Sequence, residues 1–79
     1  MLNPEVLSTI IFNHRKAAGL SRIELAEMAG VGKTVIFGIE KGKANVQLST
    51  LLKILKVLNI RVKLESPLMN YNSGLYENS

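Results

Sequence analysis

The tightest constraint on this chain is one glycine set among small and branched apolar residues. Arg22 to Lys41 is a stretch of twenty residues. In it Leu25 and Ala26 hold the fourth and fifth places, Ala29 the eighth, Gly30 the ninth, Val31 the tenth, Ile36 the fifteenth and Ile39 the eighteenth. Leu25, Ala26 and Ala29 recur at helical spacing, and so do Ile36 and Ile39. Both sets are satisfied by two short helices that meet at a sharp corner. Gly30 supplies the corner, because glycine adopts the left-handed backbone conformation that other residues resist. Ala26 is small where the second helix must cross close over the first. Leu25, Ala29, Val31, Ile36 and Ile39 then form the core that the two helices share.

Two rival readings of this segment fail. "TVIFGI", residues 34–39, is rich in β-forming side chains. Propensity is a weak prior, however, and tertiary packing routinely overrides it. Gly32-Lys33-Thr34 ends like a phosphate-binding loop, but Glu27 stands where that loop needs its first glycine. A carboxylate there would face the phosphates, and the residues before it have helical rather than strand periodicity.

The flanking sequence extends the helical reading. Asn3 and Pro4 are a cap and a first helical residue, followed by Leu7, Ile10, Ile11, His14 and Ala18 at helical spacing, and Gly19 ends the run. Ser21 with Glu24 is a capping box that starts the next helix. After the segment 32–41 comes a loop of Gly42, Lys43, Ala44 and Asn45. From Gln47 onward Leu48, Leu51, Leu52, Leu55 and Leu58 mark one face of a longer helix. Ile54 and Val57 extend its apolar surface sideways, toward a second partner surface. In "NIRVKLES" the period changes: Ile60, Val62 and Leu64 alternate with Arg61, Lys63 and Glu65, as in a half-buried strand. Ser66-Pro67 ends it. Residues 1–66 are therefore expected to form one domain, and 67–79 a flexible tail.

Composition narrows the function classes. A chain of 79 residues buries only about 60% of its unfolded surface and gains from a partner subunit. A net charge of +4 favours a polyanionic partner. The absence of cysteine points to a reducing compartment, the cytoplasm. No apolar run approaches the ~18 residues of a membrane span, and no signal pattern opens the chain. No His/Cys cluster or nucleophile–base arrangement suggests an enzyme, a metal or a cofactor. His14, the one histidine, lies at a core spacing of the first helix and is expected as a packed or hydrogen-bonded imidazole.

The spacing from Arg22 to Lys41 is the helix-turn-helix pattern. From Leu7 to Leu58 the chain resembles the five-helix DNA-binding domains of lambdoid phage repressors. "LSTLLKILKVLNIRVKLES", a last helix running straight into a short strand, is similar to the ending of HipB-type antitoxins. The resemblance implies an all-α, five-helix, lambda-repressor-like domain. It also implies a dimeric repressor of a toxin–antitoxin operon that binds a HipA-type kinase toxin. In this motif the second helix enters the major groove, so Gly32, Lys33, Thr34, Phe37 and Gly38 face DNA. By family match Lys33, Thr34 and Phe37 occupy base-reading places, with Gly32 beside them, while Gly38 departs from the long polar reader often found there. Phosphate contacts fall to Ser21, Arg22, Lys41 and Lys43, and Arg15 and Glu40 match an ion pair bracing the first helix to the third.

The terminal strand has a physical argument of its own. A lone strand with an apolar face is unstable in water, and the chain offers no second one. Pairing with its twin, antiparallel about a two-fold axis, would satisfy both copies. Ile54, Val57, Ile60, Val62 and Leu64 are the expected dimerisation residues. The expected partners are thus an inverted-repeat DNA operator, a second copy and a kinase toxin. Two other readings stay open: a stand-alone repressor of the phage or mobile-element type, and an adaptor of the same fold that binds proteins, against which the basic groove-facing residues argue.

Overall fold

The computed structural model describes residues 3–43 and 45–67. Among these residues there are four helices and no strand: α1 Pro4–Ala17, α2 Arg22–Ala29, α3 Lys33–Glu40 and α4 Leu48–Val57. The architecture is all-helical, as expected, with four helices in place of the expected five. The expected tail, 67–79, lies outside the described residues except for Pro67.

Local chemistry fixes the helix starts. The Asn3 side chain accepts from the Val6 N–H at 2.9 Å, and Pro4 is the first residue of α1. At α2 the capping box closes both ways: the Glu24 N–H donates to Ser21 Oγ at 3.0 Å, and the Ser21 N–H donates to Glu24 Oε1 at 2.8 Å. Two orphan donors at a helix start are thereby satisfied.

The helix ends share one reversal. After α2, Gly30 has φ 70, its N–H bonds to the Glu27 carbonyl, and the Val31 N–H reaches back to Ala26 at 3.0 Å. This pair of bonds redirects the chain into α3 within three residues. After α4 the same device uses Asn59, at φ 60, with the Ile60 N–H bonded to the Leu55 carbonyl at 2.8 Å. The reversal stops the helix and leaves residues 60–64 non-helical. Among the described residues the expected strand over 60–64 does not form in the single chain.

Leu7 and Ile11 of α1, Leu25, Ala26 and Ala29 of α2, Ile36 and Ile39 of α3, and Ile54, Leu55 and Leu58 of the last segment make the core. The five shared apolar positions predicted around Gly30 lie in it or, for Val31, against it. Two expectations are corrected. Ile54 is 0% exposed, so it belongs to the core and not to a dimerisation surface. Leu48 and Leu52, expected on one apolar face with Leu51, Leu55 and Leu58, are 69% and 45% exposed. The stripe that α4 buries is Leu51, Ile54, Leu55 and Leu58, one turn-position round from the one expected. Both stripes have helical spacing, and packing on α2 chooses between them. On α1 the buried line is Leu7, Ile11 and Arg15. His14 is exposed, not packed, with Nδ1 2.7 Å from the Ile10 carbonyl of its own helix.

Candidate nucleic-acid interface

α3 is preceded by Gly32, whose extended backbone caps the helix without a side-chain hydrogen bond. Its first N–H groups are therefore not covered by a side chain, which leaves them available to an anion. Lys33 and Thr34 follow, both exposed. Ile36 and Ile39 point into the core and fix the rotation of α3 about its axis. That rotation puts Gly32, Lys33 and Thr34 outward and leaves Phe37 and Gly38 half-buried on the same side.

Two concavities border this helix. One, of about 570 Å³, lies between the end of α1, the start of α2 and Phe37; Lys16, Leu20, Ser21, Arg22 and Ile23 line it with that ring. The other, of about 500 Å³, is lined by Thr34, Val35, Gly38, Ile39, Lys43 and Asn45. Lys41 and Lys43 are exposed just after α3. The Lys43 side chain runs beside Gly38, its Cδ 3.8 Å from where a Cβ would stand.

Beneath the surface lies a charged triad. Arg15 Nε donates to Glu40 Oε2 at 2.6 Å, and Arg15 Nη2 donates to Oε1 at 3.0 Å. This is the ion pair implied by the family resemblance, formed as a two-pronged bond that suits the guanidinium fork. Both side chains are nearly closed to water, at 6% and 4% exposed. Arg15 Nη1 also donates to the Leu20 carbonyl at 2.8 Å, tying in the turn before α2. Burial pushes the Glu40 carboxyl up, but hydrogen bonds from Arg15 and Arg22, with their charges, hold it below its ordinary value of 4.5. The Glu24 carboxyl is also lowered, first by the Ser21 backbone N–H and then by its hydroxyl.

Three contacts were not legible in the sequence. Arg22 Nε donates to Glu40 Oε1 at 2.9 Å, so the residue expected on phosphate is the third member of the triad. Its guanidinium also lies 5.0 Å from the centre of the Phe37 ring. Ser8 Oγ donates to the Glu40 carbonyl at 2.7 Å, fastening α1 to the end of α3. Neither Arg22 nor Ser8 carries a spacing signal, because their partners are 18 and 32 residues away.

The expected dimerisation residues divide. Ile54 is internal; Val57, Ile60 and Val62 are half-buried against the core, and Leu64 is 55% exposed. Among the described residues no three of His, Cys, Asp and Glu gather as a metal would require. No helix there is long and apolar enough to cross a membrane.

Comparison with known proteins agrees with this geometry. The family described as "Helix-turn-helix" matches residues 11–64. The control protein C.SmaI of Serratia marcescens is 38% identical over 58 residues, 73% of this chain and 69% of its own. Among solved structures, the restriction-modification controller protein C.AhdI from Aeromonas hydrophila superposes with a TM-score of 0.68 at 31% identity, covering 73% of this chain and 88% of that one. A chain of the HipA–HipB–O2–O3 complex superposes with a TM-score of 0.74 at 27% identity, covering 85% and 94%. With the core spacing, the turn at Gly30 and an outward-facing α3 in place, the chain belongs to the helix-turn-helix family of DNA-binding transcriptional regulators.

Proposed function

We propose that the protein is a homodimeric, sequence-specific repressor that inserts α3 into the major groove of an inverted-repeat operator and represses its own operon. The observation that carries this reading is the outward presentation of Lys33 and Thr34 at the start of α3, on a helix clamped from beneath by Ile36, Ile39 and Glu40. Lys33 donates to guanine O6 and N7, Thr34 bonds a base edge or touches a thymine methyl, and Phe37 packs against thymine methyls. Gly32 lets the backbone come close. Ser21, Lys41 and Lys43 contact phosphates and set the register. Two copies place their recognition helices about 34 Å apart. Val57, Ile60, Val62 and Leu64 form the dimer seam, the last residues pairing with their twin as an antiparallel ladder. The chain does no chemistry on its ligand.

Within this class we favour an antitoxin that also binds a HipA-type kinase toxin. The overlap with a chain of the HipA–HipB complex, over 85% of this chain, supports it. The identity to C.SmaI and the likeness to C.AhdI favour a second reading, a regulator of a restriction-modification system. Selection from a randomised duplex pool followed by mobility-shift titration tests the repressor: an inverted-repeat preference is expected, and binding without preference at moderate salt sinks it. Co-purification with the product of the neighbouring gene separates the two classes, since only an antitoxin brings down a kinase.

A further inference from the structure

Arg22 sits where a simple phosphate contact was expected, yet its surroundings are built for another duty. Its Nε is tied to Glu40 Oε1 at 2.9 Å, and that carboxylate is also bound twice by Arg15. Glu40 thus anchors Arg22 on a support that is itself immobilised, with the Glu40 side chain only 4% exposed. From this anchor the guanidinium spreads over the Phe37 ring, 5.0 Å from its centre. The Arg22 side chain keeps 42% of its surface exposed. Two guanidinium groups share one carboxylate, so the triad carries one surplus positive charge. Arg15 is closed off from water, and the surplus is therefore expressed at Arg22, against the ring face. A cation over an aromatic face is attracted by its quadrupole, which favours one ring orientation among those a half-buried phenylalanine can take.

We infer that Arg22 is a positioning residue for base reading: held by Glu40, it sets the Phe37 ring so that its uncovered side meets the groove, and the base preference depends on this pair as a unit. The inference rests on the DNA-reading role proposed above for Phe37 and assigns its specificity to a residue on the neighbouring helix. It differs from phosphate contact in what it requires of the side chain. A phosphate contact needs only positive charge within reach. Holding the ring needs a flat group that can bond Glu40 through one nitrogen while covering Phe37, which lysine cannot do.

The test uses the full-length protein with Arg22→Lys and Arg22→Met, each alone and combined with Phe37→Ala. The DNA probes are the duplex selected by the wild type from a randomised pool and a scrambled duplex of equal length. Arg22→Lys is expected to lower the preference for the selected duplex about 3- to 30-fold, the range of a cation–ring contact. Binding to the scrambled duplex at low salt should stay close to wild type. The loss should vanish in the Phe37→Ala background, because a pair acting as one unit is non-additive. In the DNA-free protein the Phe37 ring proton resonances should shift in both Arg22 variants, while the methyl resonances of Ile11 and Ile54 stay in place and report an intact core. Unchanged preference in Arg22→Lys, an equal loss with and without Phe37, or unmoved ring resonances would each overturn the inference. If the wild type prefers no duplex, the reading head fails and the inference falls with it. A preference that survives in Arg22→Lys defeats only the positioning role.

Discussion

Glu40 is the residue on which the candidate interface rests. Its carboxylate takes two bonds from Arg15 and one from Arg22, and its carbonyl accepts from Ser8, so α1, α2 and α3 meet at one side chain. Glu40→Ala should cost about 3–5 kcal/mol, because it leaves the Arg15 charge buried without a counter-charge; chemical denaturation measures it. The pH dependence has a fixed sign. The Glu40 carboxyl is held below 4.5 in the folded protein, so its contribution is complete above about pH 4.5 and drains away as pH falls through the lower folded value. The melting temperature should fall with pH more steeply in the wild type than in Glu40→Gln; parallel pH profiles would show that the triad does not govern acid stability. The Arg15–Glu40 pairing was legible only through the family resemblance. Arg22 was not, because a long flexible cation at a helix start gives no sequence sign of which way it turns.

At the scale of the elements, short helices depend heavily on their ends. α2 and α3 have eight residues each, too few to be helical in isolation. Ser21→Ala should cost about 1 kcal/mol through loss of the cap. At Gly30, φ is 70 and nothing lies within 4 Å of an added Cβ, so Gly30→Ala pays only the left-handed backbone term, about 1–2 kcal/mol. Gly38 is the converse case: it lies inside α3, and a Cβ there meets only Lys43 Cδ at an ordinary 3.8 Å. Gly38→Ala should stabilise the fold by about 1 kcal/mol. Thermal unfolding of the three variants checks both signs, and a destabilised Gly38→Ala would mean that α3 needs flexibility at that point. These ends were readable in the sequence because a cap or a reversal is decided by residues within four positions of one another.

For the molecule as a whole, the question is which apolar surface serves the monomer and which awaits a second copy. Ile54→Ala should lose about 2–5 kcal/mol, and the loss should be the same at every protein concentration, because Ile54 lies inside one chain. Leu64→Asp should leave the four-helix core folded and shift sedimentation toward the monomer at micromolar concentration. A Leu64→Asp protein that sediments like the wild type would remove Leu64 from the seam. The electrostatics of the α3 side make a separate prediction. Lys43→Ala should weaken binding to selected and scrambled duplexes alike and reduce the salt slope by about one unit; a loss on the selected duplex alone would make Lys43 a base reader.

What the sequence determined by itself was everything set by near neighbours: the cap at Asn3, the capping box at Ser21 and Glu24, the corner at Gly30, and the inward turn of Ile36 and Ile39 that exposes Lys33 and Thr34. Tertiary structure alone decided the rest. α4 is apolar over so much of its circumference that two stripes have equal helical spacing, and only contact with α2 selected the one containing Ile54. His14 and Arg15 are adjacent on α1, yet the charged residue went inside, because Glu40 was waiting there to neutralise it and no pattern of hydrophobicity records a counter-charge 25 residues away.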